Sequence, residues 1–202
     1  MILNRVPTEA DEKERKKMQI DLFKHEDNWQ DIKDSAMNTI NKTTGKYPDS
    51  EWKRRLILSE HSPIRRMHFY WRWKGLKSWV SVHMVRHKIG IEHWVSTQRS
   101  DRTGVSRDEL PQGALVNHAC EADAQALINI SRKRLCSCAS PETREAWQLV
   151  KEEVARTEPE LAGCMVKECI YRGFCPEMFS CGYHKTEAFQ KELDAYRKGI
   201  NE

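Results

Sequence analysis

The sequence is poor in the features that would send a chain into a membrane or out of the cell. No apolar run among its 202 residues approaches the roughly 18 that a membrane-spanning helix requires. The first fifteen residues, MILNRVPTEADEKER, lack a signal-peptide core and carry acidic side chains early, so a secretory or transit leader is not expected and a cytoplasmic location is. Glycine (9) and proline (7) are too few for a collagenous or low-complexity chain. Charge of one sign is also lacking: 34 Lys and Arg face 30 Asp and Glu, a net +4. That excess suits phosphorylated small molecules and falls short of a nucleic-acid-binding signature. Seven cysteines, an odd number without an export signal, point to thiols or metal ligands rather than a disulfide framework.

What is present is a charged, globular composition, 39% apolar and 32% charged, with enough apolar residues for a core. No repeat divides residues 1–202, and a single domain is expected. Ile2–Val6 suggests a strand. Thr8 and Asp11 resemble a capping box for a helix through Phe23. Helical spacing of Trp29, Ile32, Ala36 and Ile40 predicts a helix over 26–42, and Ser50 is a candidate cap for another over 51–60. MHFYWRW (67–73) predicts a strand ended by Gly75. A helix over 76–87, broken at Gly90, and a strand over 94–99 follow, then an irregular stretch to Pro111. A long helix is expected over 117–138. Ser140 and Pro141 suit the N-cap and first turn of the next, to Arg156. Residues 163–182 are Cys- and Gly-rich, and a polar helix closes the chain over 185–197. The class is α+β, mostly helical with a small sheet.

The densest chemistry lies between Trp79 and Arg102. His83 and His87, four apart, would share a helix face and could hold a metal with His93. No Glu follows His83, so the zinc-protease pattern is missing. Arg86-His87-Lys88 either complements a helix C-terminus or binds an anion. No Ser-His-acid order supports a catalytic serine.

Arg86-His87-Lys88, seven residues, then Ser96 resembles the Arg-His-Arg, seven residues, Ser signature of the flavin-dependent thymidylate synthase (ThyX) family. Other pieces keep the family's register. Glu60-His61 lies 25 residues before Arg86, with the aromatic strand after it and Gly75-Leu76 before the signature. Arg107-Asp-Glu-Leu110-Pro111 is similar to Arg-x-x-Leu-Pro, Asn129 lies five residues before Arg134, and Ala139, Glu142 and Arg144 follow in matching order. The resemblance implies a ThyX-like fold with a small antiparallel sheet and subunits, in a homotetramer, assembling around shared sites. It implies FAD contacted by His61, Arg86, His87, Lys88 and Asn129. It implies a pyrimidine nucleotide such as dUMP contacted by His83, Ser96, Gln98, Arg99, Arg107 and Arg134. The implied reaction moves a one-carbon unit from methylenetetrahydrofolate to C5 of dUMP, with reduced flavin as hydride source and NADPH as its reductant. No enzyme nucleophile is expected.

The chain departs from that pattern in a cluster. His83 stands where the family has Gln, Lys88 where it has Arg, Trp94 where it has Glu, Gln98 where it has Arg, Arg99 where it has Tyr, and Asp123 where Asn is common. Lys88 cannot donate bidentately. Trp94 removes an acceptor and adds a ring, whereas Arg99 or Arg102 could restore the charge missing at Gln98. These changes fall on the parts that read the base, so a different pyrimidine nucleotide, or a flavin- or nucleotide-binding relative without turnover, is the alternative.

In the tail, Cys164, Cys169, Cys175 and Cys181, with His184 after them, offer soft ligands for a structural zinc; buried reduced thiols are the competing state. The aromatic, basic MHFYWRWK segment could stack single-stranded bases, but the balanced charge argues against a nucleic-acid partner.

Overall fold

The computed structural model describes residues 18–43 and 45–198. The expected strand at Ile2–Val6 and the Thr8–Asp11 cap lie outside them. Four antiparallel strands form one sheet in the order β1-β2-β4-β3, with β1 at Gln19–His25, β2 at His68–Lys77, β3 at Ile91–Val95 and β4 at Leu115–Asp123. Along β2 the residues alternate: Phe69, Trp71 and Trp73 are buried, and His68, Tyr70 and Arg72 are not. This is the period of a strand with one face on a core. The helices pack on the inner face. Among the described residues, none is long and apolar enough to cross a membrane.

Two segments differ from the helices expected of them. Gln19 to Phe23 is strand, because Ile20 and Phe23 pair opposite Trp73 and Trp71 and extend the sheet. Residues 115–123 are strand rather than the first half of a long helix. Val116, His118, Cys120 and Ala122 alternate inward, and β2 and β3 pair with the strand on either side. Central pairing overrides the helical bias of Ala, Glu and His there. The helix that follows, α5 (Ala124–Arg134), starts where Asp123 accepts a hydrogen bond from the Ala126 amide at 2.7 Å. Gly90 makes room for this cap: its φ is +70°, and a Cβ there would meet an Asp123 carboxylate oxygen at 2.6 Å. Gly75, expected to end β2, instead takes φ +71° at a bulge, and pairing resumes at Leu76.

The remaining helices are α1 (Trp29–Asn38), α2 (Ser50–Leu58), α3 (Ser78–Met84), a short α4 (Ser100–Thr103), α6 (Pro141–Thr157), α7 (Pro159–Cys164), α8 (Glu168–Arg172) and α9 (Glu187–Arg197). Asp49, not Ser50, caps α2, by accepting from the Trp52 amide. Ser140 caps α6 with Pro141 behind it, as expected. That helix carries Trp147 against Trp71, ring centroids 5.9 Å apart; the Trp147 indole donates to Ser131 on α5, and the Trp73 indole donates to the Ala146 carbonyl. The sheet, α5 and α6 therefore share one aromatic core.

A buried carboxylate ties the start of the sheet to the helical layer. Glu158 accepts from His25 at 2.8 Å and from the Trp29 indole at 2.7 Å. The other His25 nitrogen faces the His68 carbonyl at 3.0 Å, and the ring stacks on Phe69. Both ring nitrogens thus face acceptors. Burial opposes the charged ring, but Glu158 and the His68 carbonyl outweigh it and raise the His25 pKa above 6.5. The pair's contribution is complete below the unfolded pKa and is lost as pH rises through the folded one. Glu158→Gln is expected to destabilise the chain by about 3 kcal/mol. The deficit, measured by denaturant unfolding, should shrink as pH rises above the ordinary histidine range and through the raised folded-state pKa; an unchanged deficit would mean a neutral His25.

Candidate functional site

α3 ends at Met84, two to four residues short of Arg86, His87 and Lys88, which lie on the connection to β3. His83 and His87 therefore do not share a helix face, contrary to the expectation from spacing. The connection is fixed from below by a chain of hydrogen bonds. His93 Nε2 lies 2.8 Å from the His87 carbonyl, His93 Nδ1 lies 3.0 Å from His118 Nε2, and His118 Nδ1 lies 3.1 Å from the Ser81 hydroxyl. A carbonyl only accepts, so His93 Nε2 must donate. His93 Nδ1 then accepts from His118 Nε2–H, and His118 Nδ1 accepts from Ser81. The Cys120 thiol, 3.2 Å from His93 Nδ1, points at the same acceptor. Burial, then His93, pushes the His118 pKa down to about 4, so the ring is neutral at pH 7. The ligand atoms of His93, His118 and Cys120 lie within 4.8 Å of one another. The relay accounts for all four ring nitrogens without a metal. Sequence reasoning missed His118, Cys120 and Ser81; the alternation of Val116, His118, Cys120 and Ala122 was the available signal.

From above, Arg134 at the end of α5 clamps the same connection. Its Nε donates to His87 Nε2 at 2.8 Å, and an Nη donates to the His83 carbonyl at 2.5 Å. Burial, then the Arg134 charge, pushes the His87 pKa down to about 4, so the ring is a neutral acceptor. His83 is 3.1 Å from the Thr143 hydroxyl at the start of α6, and burial followed by Arg134 and Arg86 lowers its pKa too. Arg134 is half-buried and, among the described residues, no carboxylate pairs with it; burial and the nearby Arg86 lower its pKa. The result is two guanidiniums and two imidazoles of lowered pKa, and among the described residues neither guanidinium is ion-paired with a carboxylate. A site so composed attracts an anion, and guanidiniums suit phosphate.

The other expected residues fall into two further groups. Asn129 on α5 accepts from Arg132 and Gln125, both of which also bond the Glu60 carboxylate. Glu60 itself sits at φ +49°, and His61 beside it has a buried Nδ1 with no partner. Arg132 stacks on Tyr171, 3.5 Å from the ring centroid. The third group lies on the 96–114 connection. Ser96 is structural in part: its hydroxyl accepts from the Asn117 amide at 3.0 Å and prolongs β3–β4 pairing. Gln98 is half-buried, Arg99 is paired with Asp101, and Arg107 is exposed, its amide bonded to the Ser100 hydroxyl. Strand β3 covers 91–95 rather than 94–99, which puts Trp94 on the sheet's outer face beside Tyr70. Lys88 is exposed. Cys169, Cys175 and Cys181 line one small cavity, and Cys164 does not; its charged neighbours are Arg54, Lys151, Glu60 and Glu160. An open groove of about 820 Å³ between β1, β2 and α1, lined by His25, Asp31, Tyr47, Arg66, His68 and Glu121 among others, contains none of the expected residues.

No protein-family model matches the chain, and no curated protein matches its sequence. Solved structures do match its fold. A crystal structure of thymidylate synthase X from Helicobacter pylori with FAD and dUMP superposes with a TM-score of 0.57 over 74% of this chain and 98% of that one, at 12% identity. Another of flavin-dependent thymidylate synthase ThyX from Helicobacter pylori, also with FAD and dUMP, gives 0.56 over 75% and 100%, at 13% identity. The mixed arrangement of helices on a small antiparallel sheet thus resembles the ThyX fold, and at these identities the likeness is one of fold.

Proposed function

We propose that this chain is a flavin-dependent enzyme of the thymidylate synthase type, transferring a one-carbon unit from methylenetetrahydrofolate to C5 of dUMP. The observation that carries the proposal is the hydrogen bond from Arg134, assigned by resemblance to the nucleotide, to His87, assigned to the flavin. Residues meant for two ligands thus meet in one cluster, as transfer between those ligands requires.

The chain's free groups suit FAD. The buried, unpartnered Nδ1 of His61 is one candidate contact. Arg86 and Lys88 carry no hydrogen bond or ion pair among the described residues, and they suit a pyrophosphate. Asn129 completes the set. FAD, reduced by NADPH, would supply the hydride chemistry. Arg134, Arg107 and the backbone around Ser96 hold the nucleotide. The resemblance also implies sites completed by neighbouring copies in a homotetramer.

Trp94 favours a second reading, in which the base is a different pyrimidine nucleotide. Where the family has a carboxylate, a half-exposed indole lies on the outer face beside Tyr70. His83 and Gln98 also alter groups that would read the base. A site stripped of its acceptors loses discrimination for the base they served.

Purified protein mixed with FAD and desalted is expected to keep a flavin absorbance band. Arg86→Gln should weaken retention, and a wild-type chain that retains no flavin under any condition removes the proposal. Arg134→Gln is expected to weaken dUMP binding by about 10- to 100-fold, since hydrogen bonds to charged groups contribute about 1.5–3 kcal/mol; calorimetric titration checks this. Turnover, followed as reoxidation of reduced flavin with methylenetetrahydrofolate, should be fastest with dUMP; a faster reaction with another pyrimidine nucleotide selects the second reading.

A further inference from the structure

The relay beneath segment 85–88 carries one donor more than it can use. His93 on β3 lies directly opposite Cys120 on β4, and His118 stands two residues before Cys120 on the same strand. Side chains two apart on a strand share a face, so antiparallel pairing brings two imidazoles and a thiol together. Spacing along the sequence suggests His83 and His87 as metal-binding partners of His93; the sheet gives it His118 and Cys120 instead. His93 Nδ1 has one lone pair, and two donors point at it: His118 Nε2 at 3.0 Å and the Cys120 thiol at 3.2 Å. It accepts only one of them at full strength. His118 and Cys120 are both at 0% exposure, so water does not take up the surplus donor.

One metal ion in place of those two protons satisfies all three atoms. The ligand atoms of His93, His118 and Cys120 lie within 4.8 Å of one another, and among the described residues they are the only such group. Zinc binds imidazole at about 2.0–2.1 Å and thiolate at about 2.3 Å, which sets two nitrogens about 3.3 Å apart and nitrogen from sulfur about 3.6 Å. The contacts here need to open by only about 0.3–0.4 Å to reach those separations. The outer bonds are also those of ligating histidines, whose second ring nitrogen bonds a group that fixes the ring. His93 Nε2 donates to the His87 carbonyl at 2.8 Å, and His118 Nδ1 lies 3.1 Å from the Ser81 hydroxyl. The Trp73 ring packs edge-on against His118, centroids 5.4 Å apart.

We propose that His93 Nδ1, His118 Nε2 and Cys120 Sγ bind one zinc ion, which cross-links β3 to β4. On binding, the Cys120 thiol gives its proton to solvent as the sulfur–zinc bond forms. The proton on His118 Nε2 is exchanged for one on Nδ1, which donates to the Ser81 oxygen, so one proton is released per ion. His93 keeps its proton on Nε2 and its bond to the His87 carbonyl. Three protein ligands leave a fourth position for water, on the side of His93, the one ligand that is only half-buried. None of the three ligands is a residue assigned to FAD or to the nucleotide, and the site does not depend on the function proposed above.

The full wild-type chain, stripped with a chelator, loaded with one equivalent of zinc and desalted, is expected to retain about one zinc per chain. X-ray absorption at the zinc edge should show one sulfur at about 2.3 Å and nitrogen or oxygen at about 2.0–2.1 Å in the remaining positions. Bound flavin enters neither reading. Cys120→Ala and His93→Asn should lose the zinc, and Cys181→Ser, which alters only an exposed thiol of the tail, should keep it. A wild-type chain that retains no zinc overturns the proposal, and so does zinc surrounded by two or more sulfurs, which would place it in the tail. One-sulfur zinc retained by a Cys120→Ala chain of unchanged circular dichroism overturns it as well. The absorption spectrum of the wild-type chain decides the matter even if the variants do not fold.

Discussion

The carbonyl of His87 sets the direction of every proton in the buried polar chain beneath it. Because it can only accept, His93 donates to it, His118 donates to His93, and Ser81 donates to His118. The ring of the same residue accepts from Arg134. Segment 85–88 is therefore pinned by its backbone from the sheet side and by its side chain from the helix side. The bond from Arg134 requires a neutral His87, and burial enforces that; burial keeps His118 neutral as well. Positioned in this way, Arg86 and Lys88 carry no ion pair among the described residues. A reversed relay would need a donor at position 87 where the peptide offers an oxygen.

Among the described residues, the sheet is covered on one face only. The tryptophans of β2 and α6 fill the covered side, and the indole nitrogens of Trp73 and Trp147 are satisfied within it. The opposite face carries Tyr70, Arg72, Glu121, Glu92 and Trp94, a mixture of charge and exposed ring. The Arg134–His87 pair lies at the inner layer, whereas Trp94 lies on the outer face. One strand thus sends His93 into the relay that supports the pocket and Trp94 away from it, a consequence of the two-residue period of β3.

Local signals were legible where one element's own chemistry fixes it. Ser140 and Pro141 cap α6 because a hydroxyl and a ring with fixed φ suit a helix start in almost any surroundings. MHFYWRW is strand because alternating aromatics fit a half-buried sheet. The signal failed at 115–123, where Asn, His, Ala and Glu favour helix or are indifferent and the strand exists because β2 and β3 flank it. It failed again at Gln19–Phe23, whose five residues cannot distinguish a helix turn from an edge strand without β2 beside them.

By itself the sequence determined the inventory: a basic, histidine-rich signature, widely spaced arginines, a core rich in tryptophan and a tail rich in thiols. These follow from residue type and order, which need no neighbours to be read. Tertiary structure decided who meets whom. It joined Arg134 to His87, brought His118 under both, left Ser96 holding a strand end, and placed Cys164 away from the cavity that the other three tail thiols line. Such meetings depend on strand register and helix termini, and a one-residue shift in either turns a side chain to the other face.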